Sequence, residues 1–284
     1  MMTSTSSIRR ALFFAGAAAL ALAACGPKKE AAAPADNTAA DESAMSEKAP
    51  APTGVDYDAV AAAAVADPGR PEDDRENDMT RKPDSTLAFM EVAPGDHVFE
   101  LEAGGGYYTE LLSRAVGPDG SVVMQNPESF LKFVGDAIKT RLADDRLANV
   151  RQSLSPFDSL DASDASMDLV TWIWGPHELF YHPDGASFGD PAKSFSEIYR
   201  ILKPGGVFAV IDHSAEKGAP ETTGNDLHRI DEGIIKNMAE TAGFKLDAED
   251  DFLANPDDPL TAGVFDPSIR GHTDQFALRF KKPE

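Results

Sequence analysis

A chain of 284 residues, 42% of them hydrophobic, has the length and apolar content for one sizeable core. Its 48 acidic side chains against 26 basic ones leave a formal net charge of −22, a surface that a phosphate backbone would repel, so no nucleic-acid partner is expected. A single cysteine, Cys25, excludes an intrachain disulfide and a cysteine-built metal cage.

The first residues read as an address. Arg9 and Arg10 precede an apolar run from Ala11 to Ala24 that is too short to span a bilayer and ends Leu22-Ala23-Ala24-Cys25-Gly26. A basic start, a short apolar stretch and small residues before a cut site describe an export signal over residues 1–25, and Leu-Ala-Ala-Cys resembles a bacterial lipobox. The resemblance implies a lipid anchor on Cys25 and an envelope location. Gly26 in place of an aspartate points to the outer membrane, facing the periplasm. Residues 26–55 are small, polar or charged apart from Met45 and Val55, and they predict a disordered tether. Residues 56–84 form an N-terminal helical and charged extension. It holds a short helix at about 57–66 and a dense charge run, Arg70 to Asp78, which usually reads as a solvated face, although the charged stretch 70–82 is also placed to cover the ligand opening from the N-terminal side.

From residue 85 the pattern changes. A helix begins near Pro83-Asp84-Ser85, with Leu87, Phe89 and Met90 as its apolar side. Strands are expected at about 97–102, 121–125, 150–154, 167–174 and 207–211. Helices are expected at about 106–116, 128–142, 195–202 and 229–242, with two last strands near 244–249 and 275–281. Alternating strands and helices predict a mostly parallel sheet covered on both faces, with ligands beyond the carboxyl ends of the strands. The segment Val98 to Asn126 carries three glycines, Gly104-Gly105-Gly106, between the first strand and its helix. That is how an α/β fold presents backbone N–H groups to a nucleotide-like ligand.

These residues resemble class I S-adenosylmethionine-dependent methyltransferases over about residues 85–284. Besides the glycine loop, the resemblance rests on Phe195-x-Glu197-x-x-Arg200-x-Leu202-Lys203-Pro204-Gly205-Gly206 before an apolar strand. More narrowly, the chain is similar to exported methyltransferases of undefined substrate. That likeness includes Arg81-x-Pro83, Asp212-His213 and the stretch from Phe265 to Asp274. The resemblance implies a Rossmann-like fold with a seven-stranded sheet whose last strand is antiparallel. It also implies S-adenosylmethionine as cofactor and a small-molecule methyl acceptor. In the family the acid of the glycine motif anchors the loop or the cofactor's ammonium; that position is Glu100. The loop maps to Ala103, Gly104, Gly105, Gly106 and Tyr107, with Glu102 replacing the first family glycine. Asn126 stands where an acid takes the ribose hydroxyls, and Phe157 and Asp158 follow the third strand where adenine is met.

Methyl transfer from a sulfonium needs alignment, exclusion of water and sometimes a base. His177, just past strand four, is the first expected base; His213 oriented by Asp212, at the end of strand five, is the second. Trp172 and Trp174 read as core residues. The long segment from Asp250 to Thr273 reads as a lid from which Arg270 and His272 reach the substrate. His177, His182, His213 and His272 map to the same rim, but their spacing matches no ligand motif, so no metal is assigned. The competing reading is a non-catalytic envelope lipoprotein that uses a degenerate form of this fold to bind another ligand or a metal.

Overall fold

In the computed structural model, residues 54–284 are described; the expected leader, Cys25 and nearly all of the tether fall outside them. The strands are β1 (His97–Leu101), β2 (Ser121–Gln125), β3 (Val150–Ser153), β4 (Met167–Ile173), β5 (Leu202–His213), β6 (Lys245–Asp250) and β7 (Gln275–Lys281). They form one seven-stranded sheet in the order β3-β2-β1-β4-β5-β7-β6. The first five strands pair in parallel, and β7 runs antiparallel to both β5 and β6. Strand order reverses between β1 and β4, so the crevice beside the end of β1 is where such a sheet receives a ligand.

Successive strand residues serve opposite faces. Val98, Leu169, Ala209 and Ile211 join one core, packed with α1 (Tyr57–Ala66), α4 (Pro83–Phe89) and α5 (Tyr107–Val116). Phe99, Val170, Phe208 and Val210 join the other, with α7 (Pro191–Ile201) and α9 (Glu232–Ala242). The short turns α2 (Glu72–Arg75) and α3 (Asp78–Arg81), helix α6 (Leu131–Arg141) and the short α8 (Thr223–Leu227) complete the helices used below.

Three boundaries depart from the sequence reading. The fifth strand begins at Leu202, because Gly205 N–H bonds Lys282 O and Lys282 N–H bonds Gly206 O, drawing the Pro-Gly-Gly stretch into the sheet. The last helix starts at Glu232 because the Asp231 carboxylate caps it, accepting from Gly233 N. The charge run is a solvated face only in part: Glu72, Asp73, Glu76 and Asn77 are exposed, but Arg70 is 4% and Asp74 8% exposed. Arg70 pairs with Asp78, and Asp74 pairs with Arg141 of α6, which folds the run over the loop after β1.

Candidate active site

The chain leaves β1 through Glu102, whose backbone is left-handed (φ 51°), and turns at Gly104 (φ 57°) into α5. The conformation is pinned from the neighbouring strand. Gln125 Oε1 accepts from Glu102 N at 2.8 Å, and Asn126 Oδ1 accepts from Gly104 N at 2.9 Å while its Nδ2 donates to Gly104 O at 3.2 Å. From outside, Arg141 Nε donates to Gly105 O at 3.1 Å. Gly106 has a left-handed backbone (φ 87°) that side chains rarely adopt, and a Cβ there would push the Met124 Cε at 2.9 Å, whereas a Cβ on Gly104 would meet nothing within 4 Å. Gly104→Ala should therefore fold, at a cost of about 1–2 kcal/mol for the left-handed backbone. Its methyl would narrow the ligand's approach, so a melting curve close to wild type with lost cofactor binding is the expected pair of results.

Behind the loop sits a buried ionic cluster. Glu110 of α5 accepts from Arg114, Arg141 and Arg146, and its side chain is fully buried. Burial opposes its ionisation, but hydrogen bonds from Arg146, Arg114 and Arg141 outweigh burial and hold its carboxyl below the usual range.

A cavity of about 450 Å³ opens at the loop, lined by Glu100, Glu102 to Gly105, Tyr107, Tyr108 and Phe130, and roofed by Asp74, Asn77, Arg81 and Trp174. Two larger and more open depressions, of about 1020 and 930 Å³, flank α9 and do not touch the glycine loop. We place the site at the smaller one because the glycine loop, Glu100 and Arg81 line it together at the end of β1. Glu100 is buried beside Thr109, which donates to its carboxylate. Burial pushes Glu100 up to about 8, against the Thr109 hydrogen bonds and the charge of Arg141. In the same lining the Arg81 guanidinium lies 4.4 Å from the ring centres of both Tyr107 and Trp174. The Trp174 ring stacks on His213 with centroids 5.5 Å apart.

Next to the cavity the ends of β4 and β5 gather a second group. Asp212 grips His177 twice, accepting from its backbone N at 2.9 Å and meeting its Nδ1 at 2.7 Å. Burial opposes protonation of His177, but Asp212 and Glu178 push it up to about 10, so it is a cation at neutral pH and not a ready base. The expected pairing of Asp212 with the His213 ring is replaced: Asp212 takes only the His213 backbone N–H, and His213 Nδ1 meets Thr273 Oγ1 at 2.8 Å. Burial pushes His213 down to about 3, so its ring is neutral. Burial and the charge of Glu178 raise Glu102, whose carboxylate accepts from Trp172 Nε1 at 3.2 Å.

Of the residues singled out in the sequence, Glu100, Glu102, Ala103, Gly104, Gly105 and Tyr107 share the cavity wall, with Gly106 directly behind it. Asn126 is fully buried and spends its amide on Gly104 rather than offering it to a ribose. Phe157 is a core residue against Trp172, with ring centres 4.9 Å apart, and Asp158 holds the backbone of Asp190. Trp174, just past β4 with a left-handed backbone (φ 59°), packs on the edge of the core and also lines the cavity, its indole donating to Gln275 Oε1 at 2.6 Å. Arg81, Glu178 and His228 were missed as site residues. Arg81-x-Pro83 and the placing of stretch 70–82 over the opening were the signals for the first; nothing in the spacing marks His228, which loop packing brings in. His182 and His272 are exposed and lie apart from this group, and Arg270 is exposed on the long loop.

A family model described as the ubiE/COQ5 methyltransferase family matches residues 78–223, which is half of the chain. The chain belongs to the ubiE/COQ5 methyltransferase family. The chain is 30% identical over 130 residues to the ubiquinone/menaquinone biosynthesis C-methyltransferase UbiE of Legionella pneumophila strain Paris, covering 45% of this chain and 47% of that one. It is 28% identical over 198 residues to the UbiE of Pseudoalteromonas translucida, covering 68% and 67%. The chain thus spans about half the length of the first of these relatives. Among solved structures it is similar in fold to a SAM-dependent methyltransferase from Aquifex aeolicus, with TM-score 0.51, 20% identity and 75% and 98% coverage. An arsenic(III) S-adenosylmethionine methyltransferase from Chlamydomonas reinhardtii gives TM-score 0.51, 19% identity and 79% and 73% coverage.

Membership of the ubiE/COQ5 family makes S-adenosylmethionine the cofactor, and the residues at the glycine loop fit it. The free space over Gly104 admits a close approach to the backbone, and an acid, Glu100, and a cation, Arg81, line the same cavity.

Proposed function

We propose that the chain is an S-adenosylmethionine-dependent methyltransferase acting on a small, ring-bearing acceptor. The observation that carries this reading is the placement of Arg81 and Glu100 with the glycine loop in the lining of one cavity of about 450 Å³. A zwitterionic amino acid presents a carboxylate and an ammonium a few ångströms apart. Arg81, already flattened between Tyr107 and Trp174, takes the carboxylate, and Glu100 takes the ammonium. When bound, the cofactor supplies an electrophilic methyl group on a sulfonium. The protein's part is alignment and exclusion of water. Trp174, Tyr108 and Phe130 give the cavity aromatic walls suited to a flat acceptor, and residues 74–82 close it from the N-terminal side. The curated relatives are C-methyltransferases of ubiquinone and menaquinone biosynthesis, which supports an electron-rich ring as the acceptor class.

Calorimetric titration of the purified chain with S-adenosylmethionine and S-adenosylhomocysteine tests this. Micromolar binding, weakened at least tenfold in Arg81→Met, is expected. Glu102 in place of the family glycine and the inward-turned Asn126 favour a second reading, a binding lipoprotein that has lost the cofactor. Absence of binding at millimolar concentration would select it and end the first.

The sequence also supports export with a lipid on Cys25, as the lipobox-like Leu22-Ala23-Ala24-Cys25 implies. Labelling cells with a radioactive fatty acid should mark the wild-type chain and leave Cys25→Ser unmarked; equal labelling of both would remove this part of the proposal.

A further inference from the structure

We propose that His177, Glu178 and His228 form a binding site for one divalent transition-metal ion of the zinc class. Their ligand atoms all lie within 4.8 Å of one another. Glu178 Oε1 is 3.4 Å from His177 Nε2 and 3.2 Å from His228 Nδ1. Zinc–nitrogen bonds of about 2.0–2.1 Å in a tetrahedron put neighbouring ligand atoms about 3.3–3.4 Å apart, close to these two separations. In the metal-free chain the Glu178–His228 contact also serves as a hydrogen bond.

The surroundings are those of a built site. His177 has its Nδ1 against Asp212 Oδ1 at 2.7 Å, which orients the ring and leaves Nε2 facing Glu178. A carboxylate behind a histidine is the usual outer support of a metal-bound imidazole, and the ion would take Nε2 in exchange for the proton that His177 holds in the metal-free chain. His228 is held in a left-handed conformation (φ 53°) at the end of α8, a cost of about 1 kcal/mol or more that a residue on a free surface would shed. Its ring is fixed between Tyr181, with centroids 4.5 Å apart, and Phe265 of the long loop, at 5.1 Å. The loop itself is locked down by the buried pair Arg229–Asp258, at 2.9 Å. Two imidazoles and one carboxylate from the chain leave a tetrahedral ion one open position. Glu178 and His228 remain partly accessible, so an ion can enter.

The binding proposal stands without the methyltransferase reading. The function of the open position rests on it: an acceptor hydroxyl or enol oxygen bound there would ionise more easily beside the cavity.

The test is metal binding by the full chain, stripped with a chelator and titrated with Zn²⁺ alone, with Co²⁺ absorption as a reporter of geometry. One ion per chain and the intense visible bands of tetrahedral cobalt are expected. His228→Asn, which tolerates the left-handed backbone, and Glu178→Gln should each weaken Zn²⁺ at least about tenfold, and Asp212→Asn by about 10–100-fold. Circular dichroism checks that each variant is folded. Equal affinity in wild type, His228→Asn and Glu178→Gln, or octahedral cobalt spectra, would assign the ion to the acidic surface and overturn the site. Cofactor binding measured with and without Zn²⁺ separates this outcome from failure of the methyltransferase reading.

Discussion

Replacing Glu110 with alanine should lower the folding free energy by about 3–5 kcal/mol and the melting temperature by about 10 °C. Three guanidinium groups, from Arg114, Arg141 and Arg146, converge on this fully buried carboxylate, and each is itself mostly buried. Removing the acid leaves three like charges close together with only Asp67 and Asp74 as acidic partners among the described residues. The damage reaches the site, because Arg141 also holds Gly105 O and Asp74, and so joins the glycine loop to the segment that roofs it. The pH dependence has a definite sign. A carboxyl held below its ordinary value in the folded chain contributes stability that is complete above about pH 4.3 and is lost as pH falls through the folded value. Chemical denaturation of wild type and Glu110→Gln across pH should give a gap that is constant near neutrality and narrows below about pH 4. A gap under about 1 kcal/mol at neutral pH would mean that the cluster is ornamental.

Cofactor binding should release a proton. Glu100 sits with its carboxyl pushed up to about 8 by burial, so near neutrality the free protein holds it largely protonated. The groups facing it are Thr109, Arg141 and Tyr108. An ammonium placed against Glu100 favours the carboxylate, so the proton leaves as the ligand arrives. Affinity for S-adenosylhomocysteine should then rise with pH between about 6 and 7.5, by up to about tenfold per unit, while the ligand's amino group stays charged. Titrations at about pH 6.5 in buffers of different ionisation enthalpy should count close to one proton released. Glu100→Gln should bind at least about 30-fold more weakly and release none, while keeping the wild-type fold through its bond to Thr109. Flat affinity across this range with no buffer dependence would place the ammonium elsewhere.

Much of this architecture is legible in the chain. Strands β1, β2 and β4 are near-continuous apolar runs bounded by glycine and proline turns, as parallel strands buried on two faces must be. The glycine loop announces itself because the left-handed backbone at Gly106, beside Met124, favours glycine. The site's periphery was less readable. Asn126 stands in the expected place at the end of β2, but a side chain's position in sequence does not say which way its amide turns, and Gly104 claimed it. Asp212 next to His213 suggested a pair; a strand sends neighbouring side chains to opposite faces, and the carboxylate found His177 of the next loop instead.

The sequence alone determined the sheet, its crossovers and the crevice at the end of β1, because hydrophobic period and turn chemistry are local properties. The sequence placed the charged stretch 70–82 over the opening; the tertiary structure alone decided that Arg81 lines the same cavity as Glu100 and that His228 meets His177 and Glu178. Those partners lie tens of residues apart. A charge or an imidazole carries no mark of what it will face until burial removes water as the alternative partner.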